Sequence, residues 1–250
     1  MFKCNFRRVI RASSVLSFFF VGCSSTLDSG LEWQSDDAKS ALISVLGGKQ
    51  TFATYSAAEV HAASGLWNVY VVNNPPDEII IRQSRPNSEI EFGLTADSIW
   101  RNDLGAGAVP LTSDWRWFIR NHEIVHLANR ISRWKFLRFG SVLKDIGNST
   151  RGQVQYYEDE FGLPVQIHLG EDQLPTKIIL TKPQGYGDGN VEYTIHDWLD
   201  FQGQKKMVEF DMVADGSKMT WIYRGFELID EQNSFKITAP QGIHPQTNAN

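Results

Sequence analysis

Two histidines and a glutamate occupy one short run of this chain, His122-Glu123-Ile124-Val125-His126. On a regular α-helix residues four apart share a face, so both imidazoles can reach one zinc ion. The glutamate between them can then take a proton from a metal-bound water. A catalytic zinc also needs a third protein ligand. The sixth residue after His126 is Ser132, and the next downstream glutamates, Glu158 and Glu160, fall where the sequence reads as a hairpin. Zinc chemistry would therefore use His122 and His126 as ligands, Glu123 as general base, and Glu158 or Glu160 as a strained third ligand. The competing expectation is a helix with a polar edge, on which the histidines meet solvent or pair with Glu123.

Other residue types with chemical capacity lack the neighbours that chemistry requires. Ser141 and Ser149 have no Gly-x-Ser-x-Gly elbow. Gly185 to Gly189 has the flanks of a hairpin turn, not those of a phosphate-binding loop. His61, His168 and His196 lie singly on expected strands, and Glu158-Asp159-Glu160 reads as a solvated turn. The run from His122 to Arg130 (HEIVHLANR) locally resembles the active-site helix of membrane-associated zinc peptidases, which implies a zinc-dependent metallopeptidase. Arg120 stands two positions earlier, where those peptidases usually keep an uncharged residue.

The motif needs a helix to carry it, and the segment from Ser113 to about Trp134 supplies one. Ser113-Asp114 opens it, and Trp117, Phe118, Ile124, Val125, Ala128 and Ile131 form a broad apolar stripe. On either side the hydrophobic period is near 2. Strands are expected over 59–64, 66–73, 78–85, 88–94 and 98–102, then over 153–158, 163–169, 177–182, 190–198, 204–213 and 218–229. Turn chemistries separate them, among them Asn73-Asn74-Pro75-Pro76-Asp77, Asp159-Glu160-Phe161-Gly162 and Asp215-Gly216. Links this short require antiparallel neighbours. About ten strands rarely stay flat, so the expected fold is α+β and mostly β. It is a curled antiparallel sheet or half-barrel, with one long helix across its concave face and a short N-terminal helix. That short helix starts at Ser35-Asp36-Asp37, carries Ala38, Leu42, Val45 and Leu46 at helical spacing, and ends at Gly47-Gly48.

The first two dozen residues have a different character. Lys3, Arg7, Arg8 and Arg11 precede the apolar run Val15 to Val21, which is too short to span a bilayer and has the pattern of a secretory signal. Phe20-Val21-Gly22-Cys23 resembles a bacterial lipobox, with Phe20 in place of the usual Leu. That resemblance implies cleavage before Cys23, lipidation of its thiol, and, with Ser24 following, an outer-membrane anchor on the periplasmic face. The alternative is ordinary cleavage near Ser24 or Ser25. The expected organisation is a signal peptide (1–22), a tether (23–34), a single β domain (35–238) and a flexible tail (239–250). The chain holds 24 basic and 29 acidic residues. Removing the four basic leader residues leaves 20 against 29, a net charge of −9 that gives no footprint for nucleic acid.

The β domain resembles the superfamily of lipoprotein-localisation factors, the LolA/LolB-like fold. The residues behind the resemblance are Leu46-Gly47-Gly48, the aromatic strand Ser98-Ile99-Trp100-Arg101-Asn102-Asp103, the run Tyr156 to Val165, and His196-Asp197-Trp198. It implies a half-barrel whose apolar cavity receives acyl chains or another hydrophobic ligand. Trp67, Trp100, Trp117, Phe118, Trp134, Trp198 and Trp221 are candidates to line that cavity or to fill it. The expected role is non-enzymatic and needs no cofactor: binding a hydrophobic or acylated ligand, or an envelope protein. The zinc peptidase is the alternative.

Overall fold

A computed structural model describes residues 28–103, 106–143, 151–187, 189–229 and 236–243. The expected signal peptide, Cys23 and the tail beyond 243 lie outside the described residues. The first helix, α1 (Asp28–Val45), begins seven residues before Ser35 and takes in part of the expected tether. Gly30 falls in its opening turn, where one glycine costs a helix only about 1 kcal/mol. Its end follows the expectation: Gly48 donates to the Ile43 carbonyl and Gly47 to that of Ser44, a Schellman arrangement that satisfies the last carbonyls. Gly47 has φ +84°, and a Cβ there would stand 2.0 Å from the Gly203 carbonyl oxygen, so only glycine serves. Leu42 and Leu46 enter the core, whereas Val45 is exposed.

Thirteen strands are found among the described residues. The first six are β1 (Thr54–Ala62), β2 (Gly65–Asn74), β3 (Glu78–Arg85), β4 (Ser88–Leu94), β5 (Ile99–Asp103) and β6 (Gly107–Pro110). After a helical segment come β7 (Lys135–Leu143), β8 (Arg151–Glu158), β9 (Pro164–Leu169) and β10 (Pro175–Thr181). Then follow β11 (Asn190–Phe201), β12 (Gln204–Ala214) and β13 (Ser217–Leu228). They form one open sheet in the order β6-β5-β4-β3-β2-β1-β13-β12-β11-β10-β9-β8-β7, with every pair antiparallel. Each half is a meander, and β13 returns to pair with β1 (Val60 opposite Trp221), which joins the halves at the centre.

The count exceeds the expected ten or so because β6 and β7, the two edge strands, carry weak signals. β6 has four residues, and β7 loses its alternation at a register shift between Phe136 and Arg138 and again at Gly140. Elsewhere period-2 burial holds: Ile79 and Ile81 on β3, Val165, Ile167 and Leu169 on β9, and Ile178 and Leu180 on β10 all face the core.

The helical segment from Trp115 to Arg133 crosses the concave side of this sheet. It packs on β3, β4 and β12, and turns from both halves reach over it. It is not one regular helix. An α-helix, α2 (Trp115–Asn121), passes into a 3₁₀ stretch at His122–His126 and resumes as α3 (Leu127–Arg133). The 3₁₀ residues are His, Glu, Ile, Val and His; all but Glu123 are indifferent helix formers, so tertiary contacts set their geometry.

One close approach sets a local limit on the sheet. Gly93 lies opposite Trp100 across β4 and β5, and a Cβ on it would fall 1.9 Å from a ring carbon of that buried indole. Gly93→Ala is expected to destabilise the fold by about 1–3 kcal/mol, as overpacking does. A urea unfolding curve with an unchanged midpoint would contradict this.

Candidate functional site

The 3₁₀ stretch decides what the two histidines can do. With three residues per turn, positions four apart are rotated by about 120° instead of lying on one face. His122 turns toward the sheet centre, where its ring meets the edge of Phe118 and packs 5.7 Å from Trp221. Its Nδ1–H lies 3.3 Å from the Phe118 carbonyl, which leaves Nε2 to accept from Gln83 at 3.4 Å. His126 is 2% exposed and belongs to a different cluster. Its Nδ1 lies 2.8 Å from Lys206 Nζ, and its Nε2 lies 3.4 Å from Thr54 Oγ1. Lys206 also donates to Gln50 Oε1 at 2.6 Å and Gln204 Oε1 at 2.8 Å, with no carboxylate among these partners. Burial accordingly pushes its ammonium down to about 7. Beside this cluster the Asn129 side chain pairs with both backbone groups of Gln50, tying α3 to the chain that follows α1.

Glu123, 1% exposed, is neutralised by Arg120 and Arg133. Arg120 also donates to Asp77 Oδ1 in the β2–β3 turn. Glu160, in the β8–β9 turn, accepts from Trp134 Nε1 at 2.8 Å and faces Arg130 at 3.6 Å and Arg133 at 3.7 Å.

These positions do not fit zinc. The histidines sit in separate clusters, one of them beside an ammonium, and the glutamate expected to act as base is held between guanidinium groups. Of the two candidate third ligands, Glu160 is likewise held by arginines, and Glu158 ends β8 opposite Lys135. Among the described residues no three His, Cys, Asp or Glu side chains converge as a metal-ligand group.

What the segment does create is a cavity of about 410 Å³ between itself and the sheet. Its floor follows cross-strand rows on the inward face. Phe210, Trp221, Val60 and Trp67 form one row across β12, β13, β1 and β2. Tyr193, Met212 and Met219 form the next, and Val191 and Ala214 a third. Trp117, Phe118, Asn121, His122 and Ile124 make the roof. Tyr186, from the β10–β11 turn, packs its ring against Trp117 and closes one side. The lining is overwhelmingly apolar. Its charged groups are buried Lys182 and exposed Asp215, which pair with each other.

Of the residues expected at a cavity, Trp67, Trp117, Phe118 and Trp221 line it. Trp100 lies against Gly93 on β5, and Trp198 packs on the core where a bulge interrupts β11. Trp134 is buried against Tyr157 and Glu160. Tyr193, Phe210, Met212, Tyr223 and Tyr186 were not among the sequence candidates. The alternations Val191-Tyr193-Ile195, Phe210-Met212-Ala214 and Trp221-Tyr223 do place them on the inward face, and that signal could have found all but Tyr186.

An open antiparallel sheet curled beneath a helix, with an apolar space between, defines a LolA-like fold. Solved structures share it. One is a DUF1329 family protein from Desulfovibrio piger (TM-score 0.55, 11% identity, covering 77% of this chain and 90% of that one). Another is a LolA superfamily protein from Nitrosomonas europaea (TM-score 0.55, 12% identity, 77% and 94%). A third is a domain from Vibrio parahaemolyticus described as an outer membrane lipoprotein-sorting protein (TM-score 0.51, 10% identity, 81% and 94%). No family model matches the sequence, and no curated protein matches it. At these identities the likeness is one of fold.

Two outcomes follow from the polar contacts. Glu123→Ala would leave Arg120 without its buried carboxylate partner, and a loss of about 3–5 kcal/mol is expected from urea unfolding. Burial lowers His122 to about 4 and, with the Lys206 charge as a lesser cause, His126 well below 6.5. The unfolded chain therefore takes up protons first, and folding stability should fall as the pH drops from 6.5 toward 4. Unfolding midpoints measured across that window should lose this slope in a His122→Gln/His126→Gln variant.

Proposed function

We propose that this protein is an exported envelope lipoprotein that binds a hydrophobic or acylated ligand between its sheet and its helical segment, without catalysis. The observation that carries this reading is the cavity itself. Its volume lies in the range of small-molecule sites, about 300–1,000 Å³, and aromatic and aliphatic side chains wall it with few polar groups. The fold supports the same reading, since neighbours that share it are described as LolA superfamily and lipoprotein-sorting proteins.

In this reading Cys23 carries the lipid that anchors the chain, and the outer membrane, on its periplasmic face, is where it resides. Acyl chains add about 0.8 kcal/mol per buried methylene, so a multiply acylated Cys23 would hold the protein stably at a bilayer. Among the described residues no helix is long and apolar enough to cross a membrane.

The test is displacement of an apolar fluorescent dye from the purified protein, carrying Cys23→Ser so that no attached acyl chain competes. Saturable dye binding is expected, and Ala214→Trp, which places an indole in the cavity floor, should weaken it by about tenfold or more. A dye that binds the blocked variant as tightly would remove the cavity from the account.

A further inference from the structure

Exposure along the strands shows at which end the cavity opens. On β12 it rises from buried Phe210 through half-buried Met212 and Ala214 to exposed Asp215. On β3 it rises from buried Ile81 through half-buried Gln83 to exposed Arg85. The two gradients point the same way, because Met212 lies opposite Met219, Met219 opposite Ala62, and Ala62 opposite Gly65 at the start of β2. The mouth is therefore at the end of the sheet that carries the β12–β13 and β3–β4 turns.

A cation stands at this rim. Asn68 pairs with Ser84, so Trp67 and Arg85 are the next neighbours across β2 and β3, and strand parity turns both to the concave side. The Arg85 guanidinium lies over the Trp67 ring, 3.5 Å from its centroid, and Trp67 itself lines the cavity. Stacking occupies the flat face of the guanidinium and leaves the N–H groups in its plane uncommitted. Among the described residues Arg85 has neither a carboxylate partner nor a hydrogen bond, whereas Arg82, Arg101 and Arg224 are each paired with an acid. Lys182, the cation in the cavity lining, is taken by Asp215. The chain as a whole carries a net charge of −5, so Arg85 is not one point of a basic surface.

An apolar space with a free guanidinium at its mouth matches an amphiphile. A carboxylate or phosphate drawn fully inside would lose its hydration. At the rim it keeps water on one side and meets the paired donors of an arginine on the other. We propose that the ligand carries an anionic head, a carboxylate or a phosphate, which sits at Arg85 while its chain lies between the sheet and the helical segment. This rests on the reading of the cavity as a binding site.

The experiment compares laurate, dodecyl phosphate and methyl laurate, each below its aggregation concentration, as competitors for the apolar dye bound to the Cys23→Ser protein. The three share a chain and differ in the head. Arg85→Gln keeps an exposed polar side chain and removes the charge. It should weaken laurate, dodecyl phosphate or both by about threefold to tenfold and leave methyl laurate unchanged. A loss confined to one anion identifies the head as that carboxylate or phosphate. Arg224→Gln, which alters a cation paired with Glu59 on the outer face, should change none of the three. If Arg85→Gln shifts all three alike or shifts none, or if Arg224→Gln has the same effect, the head-group contact is overturned while the binding reading stands. If none of the three displaces dye from the parent, the binding reading fails with it.

Discussion

The helical segment has to be held at a height above the sheet, and buried polar contacts hold it there. Glu123 joins Arg120 and Arg133, and Arg120 extends the tie to Asp77 in the β2–β3 turn. From the other half of the sheet, Glu160 in the β8–β9 turn takes Trp134 and faces Arg130 and Arg133, which continues the same network. In a separate cluster Lys206 on β12 binds His126, and Gln50 joins it. Each contact demands a defined geometry, because a buried charge without its partner costs more than a lost apolar contact. A roof resting on side-chain packing alone could settle into the groove. One anchored to turns from both halves of the sheet and to strand β12 stands clear of it.

The cavity follows from that arrangement. Its floor belongs to a hydrogen-bonded sheet and cannot rise, and its walls are rings with few rotatable bonds. Contacts run without a break from Phe92 through Trp115, Phe118 and His122 to Trp221, and from there to Phe210 and Tyr223. Stiff aromatic walls under a pinned roof give a site that is largely pre-formed, which is the usual condition of small-molecule sites. The HExxH residues take part as structure: His122 faces the cavity, while Glu123 and His126 hold the segment from the other sides.

The sequence made the sheet legible and the helix only partly so. Strand parity is a local property, and the alternation on β3, β9 and β12 survives into the fold with the turns where Gly and Asp place them. β7 escaped because a bulge and Gly140 break its period, and β6 because four residues carry too little pattern. The zinc expectation assumed 3.6 residues per turn through 122–126. What sets the local geometry instead is contact with Lys206, Arg120 and Arg133, and sequence spacing carries no trace of a partner 80 residues away. Cavity residues were judged by type, which favoured tryptophan and brought in Trp100 and Trp198. Judging by face would have favoured Tyr193, Phe210 and Met212.

The central claim is that an acyl chain lies between the helical segment and the inward face of β11–β13. The most direct measurement is an isotope-filtered NOE experiment on the protein with a bound ¹³C-labelled palmitoyl ester. The account predicts contacts from the chain to Tyr193, Phe210 and Trp221. Contacts confined to Tyr55, Tyr70 and Arg82, which line a groove on the other face of the sheet, would contradict it.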